Sequence, residues 1–333
     1  MDSQSFNIFA ETTYHCLDEE QSQRLNIDLI VTSLEKALEL QLEHQNALMS
    51  LPNDLAHLKI PLENILSATN NFAEENIICS YGFCKEYKGQ LLWSGELINI
   101  IARRLNKERD DVKEQQFWTE ISLLSSLKHK NLVSIIRFCD ENGEKIIINK
   151  NETSSRGVLS IYLSDPLLLT WVRRLEICVG LGHALSYIHH DETREFSIIH
   201  RNINSATVVL NDNWEPKLCD FECSMKINAS QRHHSFHTNK IEYTYGYGDL
   251  TFIETKCVNH KSDIYSFGIL MFELLCGRES IIVDNQDNKY LVPVALFHHR
   301  EKMLNDIVDP NLWKQMDPQS FNIFVETAHD CLN

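Results

Sequence analysis

Apolar positions recur at helical spacing in three long stretches. From Ile27 to Glu43 (IDLIVTSLEKALELQLE), residues Ile27, Ile30, Val31, Leu34, Leu38 and Leu42 form one stripe with acidic and lysine residues outside it, so a helix is predicted there. A second amphipathic helix is predicted over 112–128, which contains FWTEISLLSSL. A third runs from Trp171 to His190, where Val172, Leu175, Val179, Ala184 or Leu185, and Ile188 keep the period. Shorter runs read as buried strands: Ile98–Leu105 (INIIARRL), Ile146–Lys150 (IIINK), the apolar end of Ile198–Leu210 (IIHRNINSATVVL), and a strand-like piece at Pro216–Cys219. The two ends of the chain repeat each other. Residues 1–18 read MDSQSFNIFAETTYHCLD and 316–333 read MDPQSFNIFVETAHDCLN, each predicting an amphipathic helix with Phe, Ile, Ala or Val, and Leu on one face.

Chemistry concentrates in two short motifs. Ile198–Leu210 and Asp220-Phe221-Glu222 resemble the catalytic loop (H-R-D-x-x-x-x-N) and the metal-binding loop (D-F-G) of protein kinases. His200 and Arg201 stand, but Asn202 holds the base position and Thr207 the second metal-ligand position. Asp220 and Phe221 stand, but Glu222 replaces the glycine. The resemblance extends along the chain and is specifically to plant receptor-like kinases. IPLENILSATNNFAEEN (60–76) resembles their leading segment, and ICSYGFCKEYKG (78–89) their glycine-rich hairpin, with Gly82 and a turn Gly89 left and Cys79, Tyr81 and Cys84 at the three principal glycines. Arg103 takes the Lys position that pairs with phosphates, Ile101 a small position beside adenine, and Glu120 the partner of that basic residue. Asn149 stands at the gatekeeper and Lys150 just after it. TYGYGD (244–249) resembles T-x-G-Y-x-D, but Leu250-Thr251 replaces the Pro-Glu that follows. KSDIYSFGILMFELLCGR (261–278) is the least altered stretch, with Asp263 matching an Asp that holds the catalytic loop from below. Leu124, Ile135, His200 and Phe221 match the packed column between the lobes.

The resemblance implies an α+β, bilobal kinase-like fold: a β-rich N-lobe over 60–150, a larger helical C-lobe over 151–333, and a linker at 48–59. Residues 1–47 form an extra helical segment resembling the tail of a preceding kinase domain, as in a tandem-kinase protein. The C-lobe is then expected to lack its own final helix, supplied by fold-back of the N-terminal helix or by another chain, and a dimer through the terminal helices follows as an expectation.

Bulk properties narrow the picture. The chain of 333 residues is 43% apolar and 23% charged, which suits a soluble globular protein. A net charge of -16 argues against non-specific binding to nucleic acid or anionic membrane. Ten cysteines without C-x-x-C pairs read as free thiols, and no apolar run reaches the roughly 20 residues of a membrane span. His233, His234 and His237 read as part of a solvated polar loop over 223–243. A cytoplasmic protein is expected, held at the plasma membrane only through a partner.

The altered positions carry the functional expectation. Asn202 has no basic carboxylate, Thr207 lacks an amide ligand, and Glu222 adds charge where phosphate oxygens would lie. A pseudokinase is expected, acting through other protein kinases or receptor kinases as scaffold, allosteric partner or decoy, with no cofactor. The alternative is a weak Ser/Thr kinase using ATP with Mg²⁺ or Mn²⁺ on Asp220 and Glu222. Arg201 matches the arginine that reads a phosphorylated activation loop, and Ser230, Ser235, Thr238 and Thr244 are candidate acceptors.

Overall fold

A computed structural model describes residues 3–16, 26–49, 53–80, 84–93, 95–106, 111–151, 156–238, 244–282 and 289–332. Two compact units emerge: Met1–His57 with Phe236–Thr238, and Leu58–Ser235 with Asn239–Asn333. Both chain-end helices and the three long predicted helices are present. No helix among the described residues is long and apolar enough to cross a membrane.

The first unit is built on a helix pair, α1 (Ser3–Cys16) and α2 (Ile27–Met49). Ser5, near the start of α1, donates its hydroxyl to the carbonyl of Ala37 in α2 at 2.6 Å. Among the described residues, Ser5, Thr12 and Ala37 are the buried polar or small positions of this helix pair. Phe6 stacks on His237 with ring centroids 5.4 Å apart. Part of the expected linker is ordered, with Asn53–Leu58 as a 3-10 turn.

The small lobe of the second unit begins where Lys59 bridges to Phe138. After α3 (Leu62–Ala68) come β1 (Ile77–Ser80), β2 (Cys84–Trp93), β3 (Glu96–Leu105), α4 (Asp111–Ser126), β4 (Ile135–Glu141) and β5 (Glu144–Lys150). The strands make an antiparallel sheet in the order β1-β2-β3-β5-β4. Ile65 of α3 packs with Tyr87, Leu91, Ile100, Ile146 and Ile148 on one sheet face. Gly89, expected in a turn, lies inside β2 opposite Ile100. A Cβ there would come within 2.5 Å of the Ala68 carbonyl oxygen, so the glycine admits the end of α3 rather than making a turn.

The large lobe opens with β6 (Gly157–Val158) and is centred on α5 (Trp171–His190). It continues through β7 (Phe196–Ile199), β8 (Val208–Leu210), β9 (Pro216–Leu218), β10 (Met225–Asn228), α6 (Leu250–Thr255), α7 (His260–Cys276), α8 (Leu291–Arg300), α9 (Pro310–Trp313) and α10 (Pro318–Asp330). The polar segment expected as loop after Asp220 contains β10, because Ile227 gives it one buried side chain and its backbone pairs with β7. The fully buried Arg174 of α5 donates to the carbonyls of Leu169, Leu274 and Leu163 at 2.7–2.8 Å, so its charge is met by carbonyl oxygens of three segments. Burial pulls the Arg174 guanidinium down to about 10. Helix α10 packs on α5 and α7. Trp171 stacks edge-on against Phe324 at 5.0 Å and donates Nε1–H to Ser320 Oγ at 3.1 Å. A Cβ on Gly268 of α7 would meet Cys331 Cβ at 2.8 Å.

Candidate active site in the inter-lobe cleft

Between the small-lobe sheet and the β6-β8-β9 sheet lies a cleft of ≈ 410 Å³. That size falls in the range of small-molecule sites. Ile78, Ile101, Val158, Ile161 and Val209 line its apolar part, and Glu86, Arg103, Glu120 and Asp220 its charged end. Ile101, at a position the resemblance keeps small beside adenine, forms one wall of the cavity. Asn149 and Lys150 also line it, and the Lys150 backbone N–H donates to Ser134 at 3.1 Å. Gly82 lies outside the described residues.

Arg103 is the hub of the charged end. Strand alternation aims it inward from β3, where its register partner on β2 is Glu86. Its side chain is 4% exposed and forms an ion pair with the almost fully buried Glu120 of α4, the pairing expected from sequence. The same guanidinium donates to Asp220 Oδ1 at 2.8 Å and stands 3.9 Å from Glu222. Burial works to lower the Arg103 pKa, but the charges of Asp220, Glu222 and Glu86 outweigh it and the net displacement is upward. Glu86 moves upward too, chiefly through burial, with Arg103 opposing. Asp220 sits at φ 62 and Arg201 at φ 69, left-handed conformations costing about 1 kcal/mol or more each outside glycine.

The catalytic-loop segment hangs from Asp263. The backbone N–H groups of His200 and Arg201 each donate to its carboxylate at 2.7 Å, and His189 Nε2 lies 2.8 Å away. Burial opposes the Asp263 charge, but His189, His200 and the Arg201 N–H prevail and its pKa is lowered. His200 is pushed down mainly by burial and is neutral at pH 7. Its Nε2 lies 3.0 Å from the Cys219 carbonyl and its Nδ1 accepts from the Asn202 N–H at 3.3 Å, which assigns the proton to Nε2. Its ring meets Phe221 edge-on at 4.6 Å; Leu124 lies in the same apolar core as Phe221, and Ile135 packs half-buried against that core.

The remaining motif positions are tied into the loop itself. Asn202 Oδ1 accepts from Thr244 Oγ1 at 2.7 Å and from Asn204 Nδ2 at 3.1 Å. Thr207 Oγ1 accepts from the Asn204 N–H at 3.1 Å and sits 3.0 Å from the Asn202 and Asn204 carbonyls, closing a capping box. Ala206, rather than Thr207, lines the cleft. Arg201 donates to the Cys223 carbonyl at 3.1 Å. Asn204 was not singled out from sequence. Its signal was available: N-x-x-T before an apolar run reads as a local cap.

Asp220, Thr207 and Glu222 are the positions expected to meet a divalent cation. Mg²⁺ needs an octahedron of oxygens. Here the Asp220 carboxylate is held by a guanidinium, the Thr207 hydroxyl is spent within its own loop, and Asn202 is neutral. The charged end of the cleft carries Glu86 as well as Asp220.

Comparison with known proteins agrees with the architecture. Residues 72–305 match the protein tyrosine and serine/threonine kinase family. The receptor-like protein kinase ANXUR2 of Arabidopsis thaliana is 35% identical over 278 residues, covering 83% of this chain and 31% of the relative. Receptor-like protein kinase HERK 1 of the same plant is 34% identical over 281 residues (83% and 32%), and receptor-like protein kinase FERONIA 31% over 284 (85% and 31%). The chain thus spans about a third of the length of these relatives. With a sheet-built small lobe, a helical large lobe, and the Arg103–Glu120 and His200–Phe221 pairs between them, the chain belongs to the protein tyrosine and serine/threonine kinase family.

Proposed function

We propose that this chain is a catalytically impaired kinase domain that works by binding other protein kinases, receptor kinases among them, as scaffold, allosteric partner or decoy. The observation that carries this reading is the Arg103 hub. One buried guanidinium holds Glu120 and Asp220 and sits close to Glu222, so the carboxylate matching the metal ligand has an internal cation. The amide at Asn202 supports it further: it accepts hydrogen bonds where a base would take a proton. The relatives' names supply the partner class, and a membrane-bound receptor would bring the chain from the cytoplasm to the plasma membrane. The repeated end segments support a place in a tandem of kinase domains, with residues 1–47 as the tail of the preceding one.

A second reading, a weak Ser/Thr kinase, is favoured by the open cleft with Asp220 at its edge. Thermal unfolding with ATP, with and without Mg²⁺ or Mn²⁺, separates the two. A nucleotide at 100 times its Kd adds about 2.7 kcal/mol of stability. No metal-dependent shift and no phosphate transfer to a generic protein substrate is the expected result. A metal-dependent shift and transfer, both lost in Asp220→Ala, would overturn the proposal in favour of the kinase.

A further inference from the structure

Two arginines of the large lobe share one indole. The guanidinium carbon of Arg156, just before β6, lies 4.5 Å from the centre of the Trp214 ring, and that of Arg173 in α5 lies 4.5 Å from the same centre. The two cations therefore stand at most twice that distance apart. The negative face of the indole offsets part of their repulsion but gives them no hydrogen-bond acceptor. Arg103, Arg104, Arg194 and Arg300 each have a carboxylate within ion-pair reach, whereas among the described residues Arg156 and Arg173 have none. Arg156 donates its Nε–H to the Asp212 carbonyl at 3.2 Å, so both of its terminal amino groups remain. Arg173 donates from Nη1 to the Leu168 carbonyl. A guanidinium has five N–H donors in one plane, so most donors of both forks have no acceptor among the described residues. The carboxylates of the adjoining turns are taken up locally. Asp165 accepts from the Leu167 and Leu168 N–H groups at 2.9 Å, and Glu215 from Asn211 Nδ2 at 2.6 Å.

The fold holds this platform in place. Trp214, in the turn between β8 and β9, is buried and stands at φ 65, a left-handed conformation that bulky side chains rarely adopt. Its N–H donates to the Asn211 carbonyl at 2.9 Å. Tyr162 meets the indole edge-on at 5.1 Å and donates its hydroxyl to the Arg156 carbonyl at 2.8 Å. The Arg156 N–H donates to the Leu210 carbonyl at 3.0 Å, and Arg173 lies in the first turn of α5, where its N–H meets the Thr170 hydroxyl. Both arginines thus start from anchored backbones, which reduces the ordering cost of binding. Beside them the surface is apolar: Leu168, whose carbonyl takes the Arg173 hydrogen bond, is 44% exposed, and Leu167 is 80% exposed. Tryptophan and arginine are the residue types that anchor protein partners, and the leucines add apolar area alongside.

We propose that this site binds a phosphorylated side chain in a segment of a partner protein. The phosphate bridges Arg156 and Arg173, and apolar side chains of the same segment lie on Leu167 and Leu168. A phosphoryl group at neutral pH carries close to two negative charges and three acceptor oxygens, and planar arginine forks match it bidentately. A single Asp or Glu carboxylate neutralises only one of the two cations. The chain carries a net charge of -16, so an anionic bilayer repels it as a whole, whereas one phosphorylated segment meets the local positive field of the pair. That contrast selects a protein partner over a lipid headgroup. Neither arginine lines the inter-lobe cleft, and the proposal is independent of whether the cleft transfers phosphate.

Peptide pools that are degenerate apart from one central phosphoserine, phosphothreonine or phosphotyrosine test it on the 333-residue chain without nucleotide, against matched unphosphorylated and glutamate pools. Retention of a phosphorylated pool is expected. The selected peptide, followed by fluorescence anisotropy, is expected to bind at least about tenfold more weakly to Arg156→Gln and to Arg173→Gln. Arg173→Lys keeps a cation over Trp214 but loses the fork, so it reads the site even where a Gln variant unfolds, and it too is expected to bind more weakly. Arg300→Gln, which removes an exposed charge elsewhere, is expected to bind like the parent. Thermal midpoints of all variants separate lost binding from lost folding. No retained phosphorylated pool, equal retention of the glutamate pool, or binding unchanged in the arginine variants overturns the proposal. Capture by phosphoinositide vesicles through the same arginines, stronger than by any peptide, overturns it in favour of a membrane.

Discussion

Replacing Arg103 by Ala tests whether the charge hub holds the cleft together. The guanidinium is buried, its partner Glu120 is 1% exposed, and Asp220 is about a quarter exposed at the side chain. Removing one member of a buried pair leaves an uncompensated charge and costs about 3–5 kcal/mol. Asp220 adds little to that figure, since water reaches it. With a denaturant slope near 3 kcal/mol per molar, the urea midpoint falls by about 1–2 M at unchanged slope. The double variant Arg103→Met/Glu120→Gln removes both charges and is expected to recover most of the loss, because what the single variant suffers is the orphaned carboxylate rather than the absent bond. Urea unfolding followed by tryptophan fluorescence measures both. A single-variant loss under about 1 kcal/mol, or a double variant no better than the single, would refute the buried hub and with it the main support for an impaired metal site.

Other perturbations address separate parts of the molecule. Glu273 is pushed up to about 7 by burial, against hydrogen bonds from Tyr247, Ser205 and Ser280. A carboxyl whose folded pKa lies above its unfolded value loses stability as pH rises between the two. Glu273→Gln is therefore expected to be more stable than the parent at pH 8, by at most about 3 kcal/mol, and to lose that advantage near pH 4; unfolding at the two pH values decides it. Gly268→Ala puts a Cβ within 2.8 Å of Cys331 Cβ and should destabilise by about 1–3 kcal/mol, with faster amide exchange in α10 as its signature. Asp263→Ala removes the acceptor of the His200 and Arg201 N–H groups and should cost about 3 kcal/mol or more, accompanied by loss of protection at those two amides.

Local order and motif frame were readable from the chain because they depend on spacing alone. The stripe from Ile27, the run INIIARRL and the period from Val172 to Ile188 each specify one element without outside help, and α2, β3 and α5 stand where they were expected. The Arg103–Glu120 pair was also readable, since both positions fall in a known frame. The reach of Arg103 to Asp220 was not, because it joins residues 117 positions apart and depends on how two lobes meet. Gly89 shows a different limit. A glycine in a hairpin-like stretch reads as a turn, and only the approach of Ala68 reveals that it serves packing inside a strand. The strand after Asp220 was hidden by its polarity, because its partner β7 supplies the hydrogen bonds and Ile227 alone supplies the apolar side chain buried there.

The Arg103 hub also bears on motion. Arg103 belongs to the small lobe through β3, Glu120 to α4, and Asp220 to the loop that follows β9. Spreading the lobes would part the buried guanidinium from Asp220 while leaving it with Glu120 inside the small lobe, so opening of the cleft carries an electrostatic cost that the apolar walls alone would not impose.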